Sequence, residues 1–329
     1  MSVRRVILAA LPLALATAGL FGSVSAQAQA FPNKQITIVA AYPPGGDVDA
    51  LARVFAEKLA IRTGQTVIVD NKVGASGTIG ASFVAKAPAD GYTVLYAPST
   101  FAIAPLVLKT GTGAVYDPIG DFVPVMATGT ASLFIVTAPQ SGLKDTKELV
   151  AAAKAGKLAG YGSPGSGSPM HVLGEMVNRS AGTQIKQVPY RGLGPAITDL
   201  IGGHIPFMYT TLGPVAQHVA AGKAVVLAVA DPQRSPLAPN VPTLEEVGIK
   251  DANVDAWHGF FLPKGTPQDV VRTLNGHFNE ILKMPEVRTR MGTFAMIPVG
   301  GDPAELAKYN QLHNSRYGKA VKELGIQAD

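Results

Sequence analysis

A glycine- and serine-rich segment, Gly162–His171, carries the strongest chemical signal in this chain. Near its end stand Ser168 and Pro169, a pair typical of a helix N-cap and first helical residue. Backbone N–H groups at a helix start are unpaired and lie at the positive end of the helix dipole, so they bind anions without a formal charge. The segment therefore indicates a site for a carboxylate or a similar small anion.

Two further segments, Pro44–Asp49 and Gly74–Gly80, are also rich in glycine and precede helical patterns. Because glycine has no side chain, a ligand can approach the backbone closely at such positions. The same composition is also what a tight turn between a strand and a helix requires. Composition alone leaves both interpretations open.

Motifs of the common enzyme classes are absent from the sequence. It has no Gly-x-Ser-x-Gly nucleophile motif, no dinucleotide- or phosphate-binding glycine pattern and no HExxH zinc motif. It also has no cysteine, which excludes disulfides, thiolate metal sites and cysteine nucleophiles. A secreted hydrolase that uses Ser166 or Ser168 with His171 is the remaining enzymatic alternative. We favour binding over catalysis and predict neither a metal nor a cofactor.

Strand and helix patterns alternate along the chain and flank these segments. This alternation predicts an α/β fold with largely parallel sheets. Apolar runs predict strands at 36–41, 66–69, 92–97, 133–137, 158–161, 185–189, 205–210 and 225–230. The first three strands end in loops rich in Gly, Ser, Thr or Pro, and the third of these loops begins with Ser99. Ligands of open α/β sheets bind beyond the carboxyl ends of strands, where such loops gather.

The N-terminus, residues 1–30, is typical of a cleaved signal peptide. Arg4 and Arg5 precede an apolar run, and small residues before Phe31 offer cleavage sites. The run is too short, and its downstream flank too polar, for a good membrane span. We therefore predict export, with a retained anchor helix as the alternative.

The charge of the chain argues against nucleic acid as a partner. The formal net charge is +5, and loss of Arg4 and Arg5 with the signal peptide lowers it to +3. The basic residues are spread along the sequence rather than clustered. The mature chain is long enough for two lobes, which we predict at 31–131 plus 258–329 and at 132–257.

Short motifs follow one another along nearly the whole mature chain. They are Pro32-x-Lys34, Pro44-Gly45-Gly46-x-x-Asp49-x-x-Ala52-Arg53, Asn71-x-x-Gly74-x-x-Gly77-x-Ile79-Gly80-Ala81, Ala87-Pro88-x-Asp90-Gly91-Tyr92-Thr93, Gly162-Ser163-x-Gly165-x-Gly167-Ser168-x-x-His171, Pro189-Tyr190-x-Gly192, Asp199-Leu200, Pro242-Thr243-x-x-Glu246-x-Gly248 and Trp257-x-Gly259. In this order the motifs resemble the periplasmic receptors of tripartite tricarboxylate transporters, also called Bug-type receptors.

The resemblance implies a two-lobed type II periplasmic-binding-protein fold that closes by a hinge around a small carboxylate. It implies a periplasmic monomer that delivers its ligand to integral-membrane transporter subunits; presentation of the ligand to a membrane kinase is an alternative. Contacts carried over from the family are Tyr42, Pro44, Gly45, Gly46, Ser76, Ser99, Ser163, Ser166, Gly167 and Ser168. Asp47 and His171 complete the predicted ligand-binding set.

Asp47 is a departure from the family, which usually has a small or neutral residue at this position. If Asp47 faces the cleft, its charge repels a carboxylate and favours a ligand amine. If it caps the helix that contains Asp49, its role is structural. We favour capping because Asp is common at helix N-termini.

Overall fold

The computed structural model describes residues 31–108 and 116–327. The predicted signal peptide, residues 1–30, lies outside this part of the chain. The strands are β1 (Ile36–Ala40), β2 (Val67–Asn71), β3 (Thr93–Pro98), β4 (Phe122–Thr137), β5 (Tyr161–Ser163), β6 (Gln187–Pro189), β7 (Phe207–Thr211), β8 (Val225–Val229), β9 (Asp255–Pro263) and β10 (Ile297–Pro298). The helices are α1 (Asp47–Thr63), α2 (Thr78–Ala85), α3 (Thr100–Val107), α4 (Thr146–Lys154), α5 (Pro169–Ala181), α6 (Leu193–Gly202), α7 (Ala216–Ala220), α8 (Gln268–Leu282), α9 (Pro285–Gly292) and α10 (Pro303–Leu324).

The strands form a continuous path in the order β2-β1-β3-β9-β4-β7-β5-β6, with β8 and β10 also paired to β4. Strand β4 joins the two halves of this path because it changes partners between Ser132 and Leu133. Up to Ser132 it runs antiparallel to β9, and from Leu133 onward it runs antiparallel to β7 and β8. We call the strands on the β9 side the first half and those on the β7 side the second half.

The alternation of strands and helices confirms the predicted α/β class, but the sheets are mixed rather than largely parallel. Strand β1 is parallel to β2 and β3, and β5 is parallel to β6 and β7. The long strands β4 and β9 are antiparallel to their neighbours, which places an antiparallel ladder in the middle of the molecule. The sequence patterns missed β9, and showed only the last five residues of β4, because these strands are buried along most of their length and have no clear alternation.

The core of the first half forms as the spacing of apolar residues in α1 predicts. Val48, Leu51, Phe55 and Leu59 recur on one face of the helix and are all buried. The ring of Phe55 packs edge-on against Phe260 of β9, whose ring stacks on Phe278 of α8 at 3.9 Å between centroids. This packing positions α1 against β9.

Helix ends also follow the sequence signals. Ser168 caps α5, since its Oγ accepts a hydrogen bond from the backbone N of His171 at 3.2 Å, and Pro169 is the first helical residue. Gly64 and Gly182 end α1 and α5 in the left-handed conformation, as a C-terminal glycine does. No helix among the described residues has both the length and the apolar character that crossing a membrane would need.

Candidate functional site

The loop between β1 and α1, residues 41–46, is held by the buried carboxylate of Asp49. This carboxylate accepts hydrogen bonds from the backbone N of Gly45 at 3.0 Å and from Asn71 Nδ2 at 2.9 Å. Arg53, one helical turn further on, approaches it at 2.9 Å and also donates to Asn71 Oδ1 at 3.0 Å. Asn71 in turn donates to the carbonyl of Tyr42, so the network fixes the loop at both ends.

The electrostatics of Asp49 show that this network stabilises the charged form. Burial alone would raise the pKa of Asp49, but the hydrogen bonds from Arg53, Gly45 and Asn71 outweigh it and hold the pKa below its usual value. Asp49 is therefore ionised at neutral pH, and the charge of Arg53 is already paired.

A cavity of about 60 Å³ lies where the two halves of the sheet meet, with an outer pocket of about 510 Å³ beside it. The cavity is lined by Tyr42, Asp47, Val48, Pro98, Ser99, Thr100, Ala131, Pro164, Pro169, Met170, Gly192, Leu193, Thr211, Ala256, His258, Phe294 and Met296. The outer pocket shares Tyr42, Asp47, Gly192, Leu193 and Phe294 with the cavity, so the two are adjacent. Arg191, which is exposed, lines only the outer pocket.

Four helix N-termini converge on this cavity. Asp47 and Val48 begin α1, and Ser99 and Thr100 begin α3, both from the first half. From the second half come the starts of α5, with Pro169 and Met170, and of α6, with Gly192 and Leu193. Of these four helices, α1 has acidic residues in its first turn, whereas α3, α5 and α6 have none. The positive ends of three helix dipoles are thus not offset by an acid of their own.

Two hydroxyl side chains of the first half shape one wall of the cavity. The hydroxyl of Tyr42 donates to the carbonyl of Ser76 at 3.0 Å, and its enclosure raises the pKa of Tyr42 well above the usual value. Ser99 is fully buried, and its Oγ accepts from the backbone N of Trp257 at 3.4 Å. The Ser99 Oγ thus receives a hydrogen bond and can donate its own hydrogen to a ligand oxygen.

Asp47 is the first residue of α1 rather than its N-cap, which is Gly46 and makes no side-chain cap bond. Its Oδ1 accepts from the backbone N of Val48 at 2.9 Å, so it helps to satisfy the start of α1. The residue also lines both the cavity and the outer pocket, and its Oδ2 lies 3.6 Å from Nε2 of His258. Burial lowers the pKa of His258, with the charge of Asp47 opposing the shift, so the ring is neutral at pH 7.

The serine hydroxyls in the loop between β5 and α5, residues 164–168, and at the end of β5 form hydrogen bonds with neighbouring protein groups. Ser163 Oγ accepts from Gln187 Nε2 at 2.5 Å, and Ser166 Oγ donates to Gln187 Oε1 at 3.3 Å. Ser168 Oγ serves the helix cap, and the backbone N of Gly167 donates to Nδ1 of His171 at 3.2 Å. Ser168 Oγ thus accepts from the backbone of His171, as the side chain of a helix cap does.

Two glycines of this loop bring it against the first half of the molecule. A Cβ on Gly167 would lie 2.6 Å from Cα of Ala104 in α3, and a Cβ on Gly165 would lie 2.9 Å from Oγ of Ser76. Both glycines have positive φ angles, 76° and 142°. Any side chain at either position would meet a neighbour from the first half, so glycine is needed for the close approach.

The structure thus divides the predicted site residues into three groups. Tyr42, Asp47 and Ser99 line the cavity, and Pro44, Gly45 and Gly46 line the outer pocket. The remaining predicted residues line neither space, and their contact with a ligand stays a prediction. They are Ser76, Ser163, Ser166, Gly167, Ser168 and His171.

Several cavity residues were not predicted from the sequence. Gly192 and His258 lie within the motifs Pro189-Tyr190-x-Gly192 and Trp257-x-Gly259, but these motifs indicate only the family and not a ligand contact. Thr100, Thr211 and Phe294 belong to no motif, and only the packing of the two halves brings them to the cavity. Phe294 follows α9, and its backbone packs against Gly213 after β7, where a Cβ would lie 2.2 Å from the Phe294 carbonyl carbon.

Comparison with known proteins places this chain in a defined group. A family model described as the tripartite tricarboxylate transporter family receptor matches residues 51–326. The protein BugT of Bordetella pertussis is 34% identical over 323 residues, which span 98% of this chain and 98% of BugT.

Solved structures give the same result for the fold. The structure of the periplasmic binding protein BugD matches with a TM-score of 0.82 at 29% identity, covering 91% of this chain and 100% of that one. The structure of R. palustris Rpa4515 with adipate matches with a TM-score of 0.83 at 29% identity, covering 90% and 99% of the two chains. The predicted periplasmic-binding-protein fold is thereby confirmed.

Proposed function

Because the chain belongs to the tripartite tricarboxylate transporter receptor family, and is thus a periplasmic solute-binding receptor, we propose that it captures a small carboxylate in the cavity and delivers it to integral-membrane transporter subunits. Export by residues 1–30 as a signal peptide is part of this proposal. The protein acts as a monomeric receptor, and no reaction occurs in the cavity.

The convergence of four helix starts on one cavity is the observation that carries the proposal. Helix starts offer backbone N–H groups and positive dipole ends, which bind a carboxylate without a buried basic side chain. In the part of the chain that the structure describes, no Lys or Arg lines the cavity. Neutral donors suit a receptor that must release its ligand, because an Arg–carboxylate pair would hold it more firmly.

The ligands of relatives support the same substrate class. Rpa4515, whose structure includes adipate, shares the fold over nearly its whole length. Adipate is a dicarboxylate, so a carboxylate is the natural first candidate for this chain. Ser99 and the starts of α3, α5 and α6 are the proposed carboxylate contacts, with Tyr42 and the β1–α1 loop closing the first-half side.

We propose that the two lobes are 31–131 plus 258–329 and 132–257, and that they close by a hinge. The partner change of β4 between Ser132 and Leu133 and the pairing of Ser132 with Asp255 of β9 support this boundary. The Ser132 hydroxyl also donates to the carboxylate of Asp231, which follows β8. Small rotations at two antiparallel strands open or close a cleft without disturbing either core.

A thermal-shift series tests the proposal. Purified mature protein is heated with increasing concentrations of adipate, succinate, malate and short monocarboxylates. A true ligand raises the Tm progressively once its concentration exceeds Kd, by mass action. Ser99→Ala should reduce the shift at a given concentration, whereas Ser315→Ala, on the exposed side of α10, serves as the matched control and should not. Absence of any shift with every carboxylate would contradict the proposal.

Delivery is tested separately from binding. Cells that lack this chain should fail to take up the carboxylate identified by thermal shift, and the chain supplied from a plasmid should restore uptake. Normal uptake with loss of a transcriptional response would instead favour the kinase-linked sensor.

A further inference from the structure

The charged groups at the cavity point to the second functional group of the ligand. Asp47 is the first residue of α1, its side chain is 23% exposed, and it lines both the cavity and the outer pocket. His258 of β9 is 5% exposed and lies beside it. At 3.6 Å, the separation of Asp47 Oδ2 and His258 Nε2 is too long for a hydrogen bond between them.

The hydrogen-bond chain behind His258 decides which ring nitrogen carries the proton. Thr128 Oγ1 donates its one hydrogen to the carbonyl of His258 at 3.2 Å, so it accepts from the hydroxyl of Tyr96 at 3.1 Å. The hydrogen of Tyr96 is then used, and its oxygen accepts from Nδ1 of His258 at 3.3 Å. A neutral His258 with its proton on Nδ1 presents a lone pair at Nε2.

Two acceptors therefore face each other across 3.6 Å at the cavity wall, the Asp47 carboxylate and the His258 Nε2 lone pair. Among the described residues that line the cavity, none is Lys or Arg; the charge of Arg53 is paired with Asp49, and the exposed Arg191 lines only the outer pocket. A single group that carries several hydrogens satisfies both acceptors. An ammonium nitrogen about 2.9 Å from each atom fits this separation.

We propose that the cavity binds a carboxylate that also carries an ammonium group, with the ammonium between Asp47 and His258 and the carboxylate at the acid-free helix starts. The inference rests on the proposed function and adds the ligand's charge pattern to it. The four helix starts support this division, because α1 has Asp47 and Asp49 in its first turn whereas α3, α5 and α6 have no acid there. A zwitterion matches both ends of such a site, while a dianion meets repulsion at one end.

Matched ligand pairs that differ only in the amine test this inference. Affinities of the intact mature protein are measured by calorimetry for succinate against aspartate, glutarate against glutamate, and butyrate against 2-aminobutyrate. In at least one pair the amino member should bind at least about tenfold more tightly, since a charge-assisted hydrogen bond is gained and a repulsion avoided. Asp47→Asn, which keeps the shape of the side chain, should bring the ratio for that pair near one.

Controls separate recognition from folding. Asp47→Ser keeps an acceptor for the start of α1 and removes the charge, so it should reproduce the effect of Asp47→Asn if the charge is what matters. Asp269→Asn removes an exposed acid from the first turn of α8, away from both pockets, and should leave the ratio unchanged. The Tm of each variant without ligand confirms that it is folded.

The outcomes distinguish this inference from the proposed function. Binding of the unsubstituted acids with equal or greater affinity than their amino partners overturns the inference, leaves the proposed function intact and indicates that water bridges Asp47 and His258. An amine preference that survives Asp47→Asn also overturns it. Failure of every acid to bind contradicts both.

Discussion

The β1–α1 loop and the β5–α5 loop have similar compositions, but their polar groups make different contacts in the folded protein. Both are rich in glycine and lead into a helix. In the first, an Asp49-centred network holds the backbone while Tyr42 and Asp47 line the cavity. In the second, the serine hydroxyls form hydrogen bonds within the second half, and the glycines pack against the first half.

Composition therefore identifies a flexible turn that is rich in hydrogen-bond donors. It does not show which way these donors face. The first loop places side chains at the cavity, whereas the second contributes the start of α5 and a close contact with α3.

Removal of Asp49 should have the largest effect. Asp49→Ala leaves Gly45 N and Asn71 without their acceptor and Arg53 without its partner, so the free energy of unfolding should fall by about 2–4 kcal/mol. Urea denaturation measures this value. The exposed Asp145, which caps α4, offers a matched control: Asp145→Ala should cost only about 1 kcal/mol. Equal losses in both variants would mean that the β1–α1 loop is no more dependent on its carboxylate than an ordinary helix cap.

Gly167→Ala should weaken ligand binding more than stability if closure around the ligand brings the second loop against α3, because its Cβ would collide with Ala104. We expect a loss of affinity of about tenfold or more, since inserted atoms in a close-packed contact cost about 1–3 kcal/mol. Gly182→Ala is the control, because Gly182 also has a positive φ, 64°, but nothing lies within 4 Å of a Cβ there. If both variants bind the ligand equally, the second loop does not close against α3.

Ser168→Ala separates the role of this hydroxyl as a helix cap from its predicted contact with the ligand. Loss of the α5 cap should lower the free energy of unfolding by about 1 kcal/mol, while Ser168→Gly should cost only a few tenths. If Ser168 Oγ serves only the bond from His171 N, the affinity should stay within about twofold of wild type in both variants. A loss of affinity comparable with that of Ser99→Ala would instead assign the hydroxyl to the ligand.

Lowering the pH should reduce the free energy of unfolding because of the buried His258, which lies beside Asp47. Burial lowers the pKa of His258, so below its ordinary value of about 6.5 the unfolded chain takes up this proton before the folded chain does. The stability that the neutral ring contributes is complete above about pH 6.5 and is lost as the pH falls, by at most about 1.4 kcal/mol per pH unit. Urea unfolding between about pH 7 and about pH 5 should therefore show a smaller slope in His258→Gln than in wild type.

Asp47→Asn provides the opposite control for that experiment. The charge of Asp47 opposes the lowering of the His258 pKa, so its removal should make the pH dependence steeper. Identical slopes in wild type, His258→Gln and Asp47→Asn would show that His258 does not contribute to acid sensitivity.

The local features of this protein can be predicted from short stretches of its sequence. The apolar spacing in α1, the Ser168-Pro169 start of α5 and the closing glycines at Gly64 and Gly182 follow from the conformational preferences of neighbouring residues, and all are present in the structure. The ordered motifs also identified the receptor family. Such signals are readable because each depends on residues within one or two helical turns.

Which of these features lie at the cavity depends on the packing of distant segments. Strand β4 crosses between both halves, and its partners β7 and β9 lie far away in the sequence. The same packing sets His258 opposite Asp47, turns the hydroxyls of the second loop toward Gln187 and His171, and brings Phe294 and Thr211 to the cavity. Contacts between residues so distant in sequence depend on how buried strands pair and pack, and no local pattern encodes that arrangement.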